Sequence, residues 1–204
     1  MKSCWKPVLK LEKNLKNNYE MEQIKMKTLV IVTHPNIEES RVNKGWMEEL
    51  QKQSDVTIHE LYKAYPDENI DVSKEQQMVE AHDRIIFQFP FFWYSTPALL
   101  KKWFDSVLQY GWAYGPDGSK TAGKEIGVAV STYGSEESYQ ATGSNRFTLE
   151  EILRPIEVTA HFISASYLPH FTLNDASNLS DERLAQSRID YIHHIKTVKP
   201  VVNG

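Results

Sequence analysis

Cysteine is nearly missing from this chain of 204 residues, which holds only Cys4. A single thiol closes no internal disulfide and cannot build a Cys-based zinc ribbon. Long apolar runs are also missing, and none approaches the ~18 residues of a membrane-spanning helix. Nor is there an excess of basic charge. Lys+Arg 23 against Asp+Glu 27 gives a formal net charge of −4, which excludes a nucleic-acid protein held by a broad basic face. HExxH and carboxylate clusters at metal-ligand spacing are absent, so no metal is expected. The dinucleotide fingerprint GxGxxG is absent too. Gly118 to Lys124 (GSKTAGK) nearly spells a P-loop, but Glu125 stands where a hydroxyl must bind Mg²⁺. A strand pattern also follows where a helix is required. His193 and His194 are adjacent on a helical pattern and do not face each other. No serine has the context of a nucleophile elbow.

What the chain does have is aromatic residues, 11% of the whole, unevenly spread. Residues 1–25 stand apart, with six lysines against three glutamates; the remainder carries −7. This segment has no apolar core or small-residue cleavage site of a signal peptide. It reads as a helical arm, as an extension upstream of a start at Met26, or as a basic arm that binds a surface. Residues 26–200 read as one domain.

Over that domain strands and helices alternate. Lys27 to Thr33 is a β-branched run of the kind buried on both faces. Ser40 caps a helix to Gln53, and Val56 to Leu61 forms a second strand. A capping box at Ser73 opens a helix to Ala81. Arg84 to Phe89 is a third strand. Thr96 then acts as an N-cap ahead of Pro97 at the first helical position. Leu99, Leu100, Trp103, Phe104, Val107 and Leu108 follow as a buried stripe. A glycine-rich connection, Tyr110 to Lys124, leads to a fourth strand, Glu125 to Ser131. Thr148 opens a helix that Pro155 should kink or interrupt. His161 to Tyr167 is a fifth strand, and Leu179 to Val198 a closing helix. Five strands alternating with helices imply a doubly wound parallel sheet with helices on both faces.

Ligands of such sheets bind outside the carboxyl ends of the strands, which selects three loops. His34 to Asn43 runs into a helix N-terminus suited to a phosphate, with Ser40 and Asn43 as added donors and His34 as a further one. It also reads as an ordinary capped turn. Pro90 to Thr96 sets Phe91, Phe92, Trp93 and Tyr94 in succession. These aromatics suit core packing, a subunit contact or a planar ligand. Ser131 to Tyr139 offers hydroxyls and a glycine to a heterocycle, or forms a solvated turn.

Three segments carry a resemblance: His34-Pro35 with Ser40-Arg41-Val42-Asn43, then FPFFWYSTPALLKKWFDSVL (89–108), then GWAYGPDG (111–118). With them the chain from Met26 to about Val198 resembles the flavodoxin-like NAD(P)H:quinone oxidoreductases. The similarity is greatest to the bacterial branch with general stress protein 14-like enzymes and ancillary flavoproteins of potassium-efflux systems. The resemblance implies a flavodoxin-like three-layer sandwich with a five-stranded sheet of order 2-1-3-4-5. It places FMN, with FAD as the alternative, at the β1/β3 switch. The phosphate then lies on His34, Ser40, Arg41, Val42 and Asn43. The ribityl chain and ring lie along Pro90, Phe91, Phe92, Trp93 and Tyr94 and along Ser131, Thr132, Tyr133 and Gly134. It also implies NADH or NADPH as donor, a quinone-like acceptor, ping-pong hydride transfer and a cytoplasmic homodimer. Tyr139 and, across the subunit interface, Tyr114 are the implied catalytic residues, with Trp112 and Tyr114 walling the partner's pocket. Phe92 and Tyr133 depart from the glutamine and glycine common in relatives, which bears on substrate choice. Rival readings are a regulatory subunit of a potassium-efflux transporter and a one-electron carrier.

Overall fold

The computed structural model describes residues 26–200, so the arm expected over residues 1–25 lies outside the described residues. The elements in chain order are β1 Thr28–Val32, α1 Arg41–Leu50, β2 Val56–Glu60, the single turn α2 Leu61–Ala64, and α3 Val72–Glu80. They continue with β3 Arg84–Pro90, α4 Ala98–Val107, β4 Glu125–Ser131 and α5 Leu149–Phe162. The short strands β5 Ser166–Tyr167 and β6 Phe171–Leu173 and the helix α6 Asp181–Thr197 close the chain.

Every strand pair is parallel, in the order β2-β1-β3-β4-β5, with β6 also paired to β4. The expected flavodoxin-like sheet is therefore present. Its order reverses between β1 and β3, which opens a crevice above their carboxyl ends. Side chains alternate across a strand, so β1 feeds two cores. Leu29 and Ile31 join Leu99 and Trp103 of α4 and Leu153 and Ile156 of α5 on one face. Val30 and Val32 join Trp46 and Leu50 of α1 and Leu184 and Tyr191 of α6 on the other. Phe87 of β3 meets Trp103 edge to face at 5.3 Å, which ties α4 to the middle of the sheet. No helix among the described residues is long and apolar enough to cross a membrane.

The run 161–167 is not a strand throughout. α5 continues through Phe162, and Ser164 takes a positive φ of 59° before the chain re-enters the sheet. Only Ser166–Tyr167 then pair with the start of β4. Pro169, which has no N–H to contribute to a ladder, lies in the gap before Phe171–Leu173 resume pairing with the end of β4. The N-cap of α3 is Asp71, whose carboxylate accepts from the Lys74 N–H at 3.1 Å, so Ser73 lies inside the first turn. Pro97 occupies the cap of α4 in place of Thr96, with φ −56° and ψ 150°, and its carbonyl accepts from Leu100 N–H at 3.0 Å. Pro155 does not interrupt α5. It stands in the second turn and removes one ladder bond, while the capping box of Thr148 and Glu151 secures the start.

The connection after α4 is drawn tight. Gly111 N–H donates to the Tyr114 carbonyl at 2.8 Å, and a Cβ on Gly118 would lie 2.0 Å from that same oxygen. No other residue fits there. Trp112 is buried inside this turn and donates its indole N–H to Glu80 Oε1 at 2.7 Å. Its indole is therefore engaged within its own chain. Lys124, in the segment resembling a P-loop, donates to the backbone carbonyls of Glu80 and His82.

Candidate functional site

The loops after β1, β3 and β4 meet as expected and enclose an open cleft of about 400 Å³. His34, Ser40, Arg41, Val42 and Asn43 line it from the first loop, Pro90, Phe91 and Phe92 from the second, and Ser131, Thr132 and Tyr133 from the third. Its size lies in the usual range for small-molecule sites, about 300–1,000 Å³.

One end of the cleft is the N-terminus of α1. Ser40 Oγ accepts from the Asn43 N–H at 3.1 Å. The N–H groups of Arg41 and Val42, at the first two helical positions, have no partner within the helix and are open to a ligand. The dipole of α1 adds to their preference for an anion. His34 Nδ1 accepts from the Asn36 N–H at 3.1 Å, so the neutral ring carries its proton on Nε2 and donates from there. Burial holds the His34 imidazole below its ordinary pKa. Glu38 is drawn outward to Lys44 Nζ at 2.6 Å, while Glu39 borders the cleft. Arg41 reaches the other way, to the Leu179 carbonyl at 3.0 Å and Asp181 Oδ1 at 2.6 Å.

Asn43 has a different part from the one its position suggests. Its side chain is buried, and Nδ2 donates to Ser131 Oγ at 2.9 Å. It braces the first loop against the third and does not present a free donor to an anion. Thr132 is likewise committed, with Oγ1 engaging the Gly134 carbonyl and Asn174 Oδ1, each at 2.8 Å.

The other end is aromatic. Phe92 and Ser95 exchange two backbone hydrogen bonds, of 3.1 and 2.9 Å, around a two-residue turn. Trp93 (φ 49°) and Tyr94 (φ 60°) occupy its centre. A turn with two positive φ angles ordinarily takes Asn-Gly; bulky residues there are strained by about 1–3 kcal/mol each. Trp93 is 93% exposed and Tyr94 54%, and neither borders the cleft. The Tyr94 hydroxyl donates to Asn145 Oδ1 at 3.2 Å. Across the mouth Tyr133 is 76% exposed.

Gly134, Tyr139 and Tyr114 also stand outside the cleft lining. Tyr139 is buried beneath the third loop, 6.1 Å from the Phe91 ring, and burial raises its phenol pKa. A Cβ on Gly134 would lie 3.0 Å from the Tyr139 ring, so the glycine lets the loop rest on that tyrosine. Tyr114 lines a second groove of about 410 Å³ with Phe104, Leu108, Pro155 and Phe162. Ser95 and Thr96 border that groove too, so it lies behind the aromatic loop.

A fourth segment, Asn174 to Ser177, completes the cleft beyond the three expected loops. Ala176 and Ser177 line it. The segment is clasped to the third loop by Asp175 N–H to Gly134 O and Ala176 N–H to Thr132 O, both 3.0 Å. Its one signal in the sequence is Asn174-Asp175, a turn pair closing the short apolar run of β6.

Parallel order 2-1-3-4-5 with a cleft at the β1/β3 switch defines a flavodoxin-like protein. The family model of the flavodoxin-like fold, Flavodoxin_2, matches residues 26–195, and the chain belongs to that family. A relative from Bacillus subtilis, named an uncharacterized NAD(P)H oxidoreductase, YdeQ, is 50% identical over 174 residues, covering 85% of this chain and 88% of the relative. The solved general stress protein 14 of Treponema denticola, in complex with FMN, is 42% identical at a TM-score of 0.79, covering 82% of this chain and 96% of that one. An NADPH-quinone reductase structure from P. pentosaceus is 33% identical at a TM-score of 0.77, covering 84% and 98%.

Proposed function

We propose that the protein is an FMN-dependent oxidoreductase that carries electrons from NADH or NADPH to quinone-like acceptors. The observation that carries this reading is the single cleft with two chemically opposite ends. A helix N-terminus with a neutral histidine donor stands at one, and apolar aromatic side chains at the other. FMN has that polarity, with a phosphate joined through a ribityl chain to a flat ring. The residues present fit it: Arg41 and Val42 N–H, the Ser40 hydroxyl and His34 Nε2–H would hold the phosphate. Ser131 and Thr132, with Pro90, Phe91 and Phe92, flank the rest.

Bound flavin supplies the two-electron chemistry, and the protein supplies binding and orientation. In this reading the aromatic loop excludes water from the ring end. Tyr139 supports the third loop from below, and Tyr133 narrows the mouth through which donor and acceptor enter in turn. The FMN-bound relative favours FMN over FAD. Sequential use of one mouth yields a ping-pong scheme.

Tyr114 serves this site only through a second copy of the chain. The groove between α4 and α5 has an apolar floor of Phe104, Leu108, Ile156 and Phe162 with Lys101 and Asp105 at its edge, and Phe162 is 66% exposed. In the proposed homodimer a second copy covers this groove and the exposed Trp93, which brings Tyr114 toward a neighbouring cleft. Light scattering should then report twice the chain mass.

The decisive experiment is chromatography of the pigment released from purified protein, followed by NADH and NADPH oxidation with a water-soluble quinone. A colourless protein that takes up neither FMN nor FAD would overturn the reading. Parallel double-reciprocal plots are expected, and intersecting lines would exclude the ping-pong scheme.

A further inference from the structure

Gln88 interrupts an otherwise apolar strand, Ile85-Ile86-Phe87-Gln88-Phe89, and is fully buried. It pairs with Val32, the last residue of β1, and its carbonyl accepts from the Thr33 N–H at 2.8 Å. Gln88 is thus at the switch point itself. Its side-chain Nε2 donates to the backbone carbonyl of Asn43 at 2.9 Å. Gln88 Oε1 and Asn43 Oδ1 have no hydrogen-bond partner among the described residues.

An apolar side chain of similar size would pack in this strand without leaving a buried acceptor unmet, which costs stability. The glutamine therefore buries polar atoms to make a single directed contact. That contact falls on the third residue of α1, whose own N–H is held by Ser40 and whose carboxamide is held by Ser131. Between them, Gln88 and Asn43 join β3, β4 and the first turn of α1. The turn so held is the one that carries the free N–H groups of Arg41 and Val42.

We propose that Gln88 is the positioning residue of the anion-binding end of the cleft. Acting through Asn43, it sets the first turn of α1 against the carboxyl end of the sheet, so that the helix N–H groups meet a phosphate monoester in register. This rests on the flavin reading of the cleft and adds to it a residue that does not touch the ligand.

The test compares FMN with riboflavin, which differ only in the phosphate. Apoprotein is titrated into each, and quenching of flavin fluorescence gives the two affinities. Gln88→Met keeps length and volume but removes the donor. It is expected to weaken FMN by about fivefold or more while riboflavin changes by less than about twofold. Its melting temperature should not fall, since the unmet acceptor is removed with the donor. Gln88→Leu should show the same divergence. Parallel losses for both flavins, or no loss, would overturn the proposal. So would a failure of both variants to fold, which would make Gln88 a residue of core stability. Wild-type protein that binds neither flavin refutes the reading of the cleft itself. That outcome is distinct from wild-type protein that binds FMN while the FMN-to-riboflavin ratio stays fixed in the variants.

Discussion

Trp103 donates its indole N–H to Glu75 Oε2 at 2.8 Å, joining α4 to α3 at a carboxylate with no exposed surface. The other oxygen, Oε1, accepts from the Tyr65 hydroxyl at 2.7 Å and lies 2.8 Å from His59 Nε2. One buried acid thereby unites β2, the turn after α2, α3, and the helix that follows the aromatic loop. Removing it leaves the buried Tyr65 and Trp103 donors unpaired, at a cost of about 1–3 kcal/mol each. Glu75→Ala should lose stability on that scale in urea unfolding, and a loss below about 1 kcal/mol would show the network to be dispensable.

The same acid sets an acid limit to stability. Burial alone would raise the Glu75 carboxyl. The adjacent His59 ring, with the Tyr65 and Trp103 hydrogen bonds, outweighs it, and the net shift is downward. A depressed folded-state value contributes stability that is present above the unfolded carboxyl value, about 4.3, and is lost as pH falls through the folded value. Wild type should lose stability on acidification through this window. Glu75→Gln, which cannot titrate, should show a shallower slope of unfolding free energy against pH there.

His34 predicts a pH dependence of ligand affinity. Burial keeps its pKa low in the free protein, and a bound phosphate beside Nε2 would raise it. Binding then takes up a proton at Nδ1, which releases the Asn36 N–H, so FMN affinity should strengthen as pH falls from about 8 toward 6.5, above the second phosphate ionisation near 6. Riboflavin should show no such trend, and His34→Gln should flatten the FMN profile. A profile unchanged by the substitution would remove His34 from the phosphate site.

The turn at Trp93 and Tyr94 stores strain. Trp93 is almost wholly exposed, so Trp93→Asn gives up little packing and gains a residue that tolerates positive φ. Relief of about 1 kcal/mol corresponds to about 2–4 °C in Tm for a chain of this size. Thermal unfolding of the monomer at low concentration should show the rise. A fall for the monomer would show that strain does not govern this turn, whereas weakened dimerisation would mark Trp93 as part of the proposed subunit contact.

Tyr133 stands in the mouth and makes little contact with the core. Tyr133→Gly should change unfolding free energy by about 1 kcal/mol at most. In the proposed activity it should raise kcat/KM for fused-ring quinones relative to benzoquinone. An unchanged ratio would show that this side chain does not gate the acceptor.

Much of the architecture is legible in the chain because it rests on local periodicity. The β-branched run from Lys27 to Thr33, the cap at Ser40 and the helix start at Thr148 each need only a few neighbouring residues, and a strand or helix forms at each. The misplaced features depend on distant partners. β5 and β6 are two and three residues long and exist only because β4 offers them a ladder. Asp71 and Ser73 are equally good caps by type, and only the path of the chain into α3 chooses between them. The cleft follows the same division. Its three loops are recognisable because strand ends in a parallel sheet attract ligands, whereas Ala176 and Ser177 arrive through hydrogen bonds to Gly134 and Thr132.

By itself the sequence determined the alternating elements, the doubly wound class and the three loops that line the cleft, since spacing and residue type suffice for these. The tertiary structure alone decided what each side chain is free to do. Asn43 and Thr132 have the right chemistry for a ligand, yet both spend their polar atoms on other loops. Tyr139 lies beneath the cleft, and Trp112 is enclosed by its own turn. A polar group satisfied inside the protein is no longer available to a ligand, and its partners are residues far away in sequence. Spacing along the chain carries no record of them.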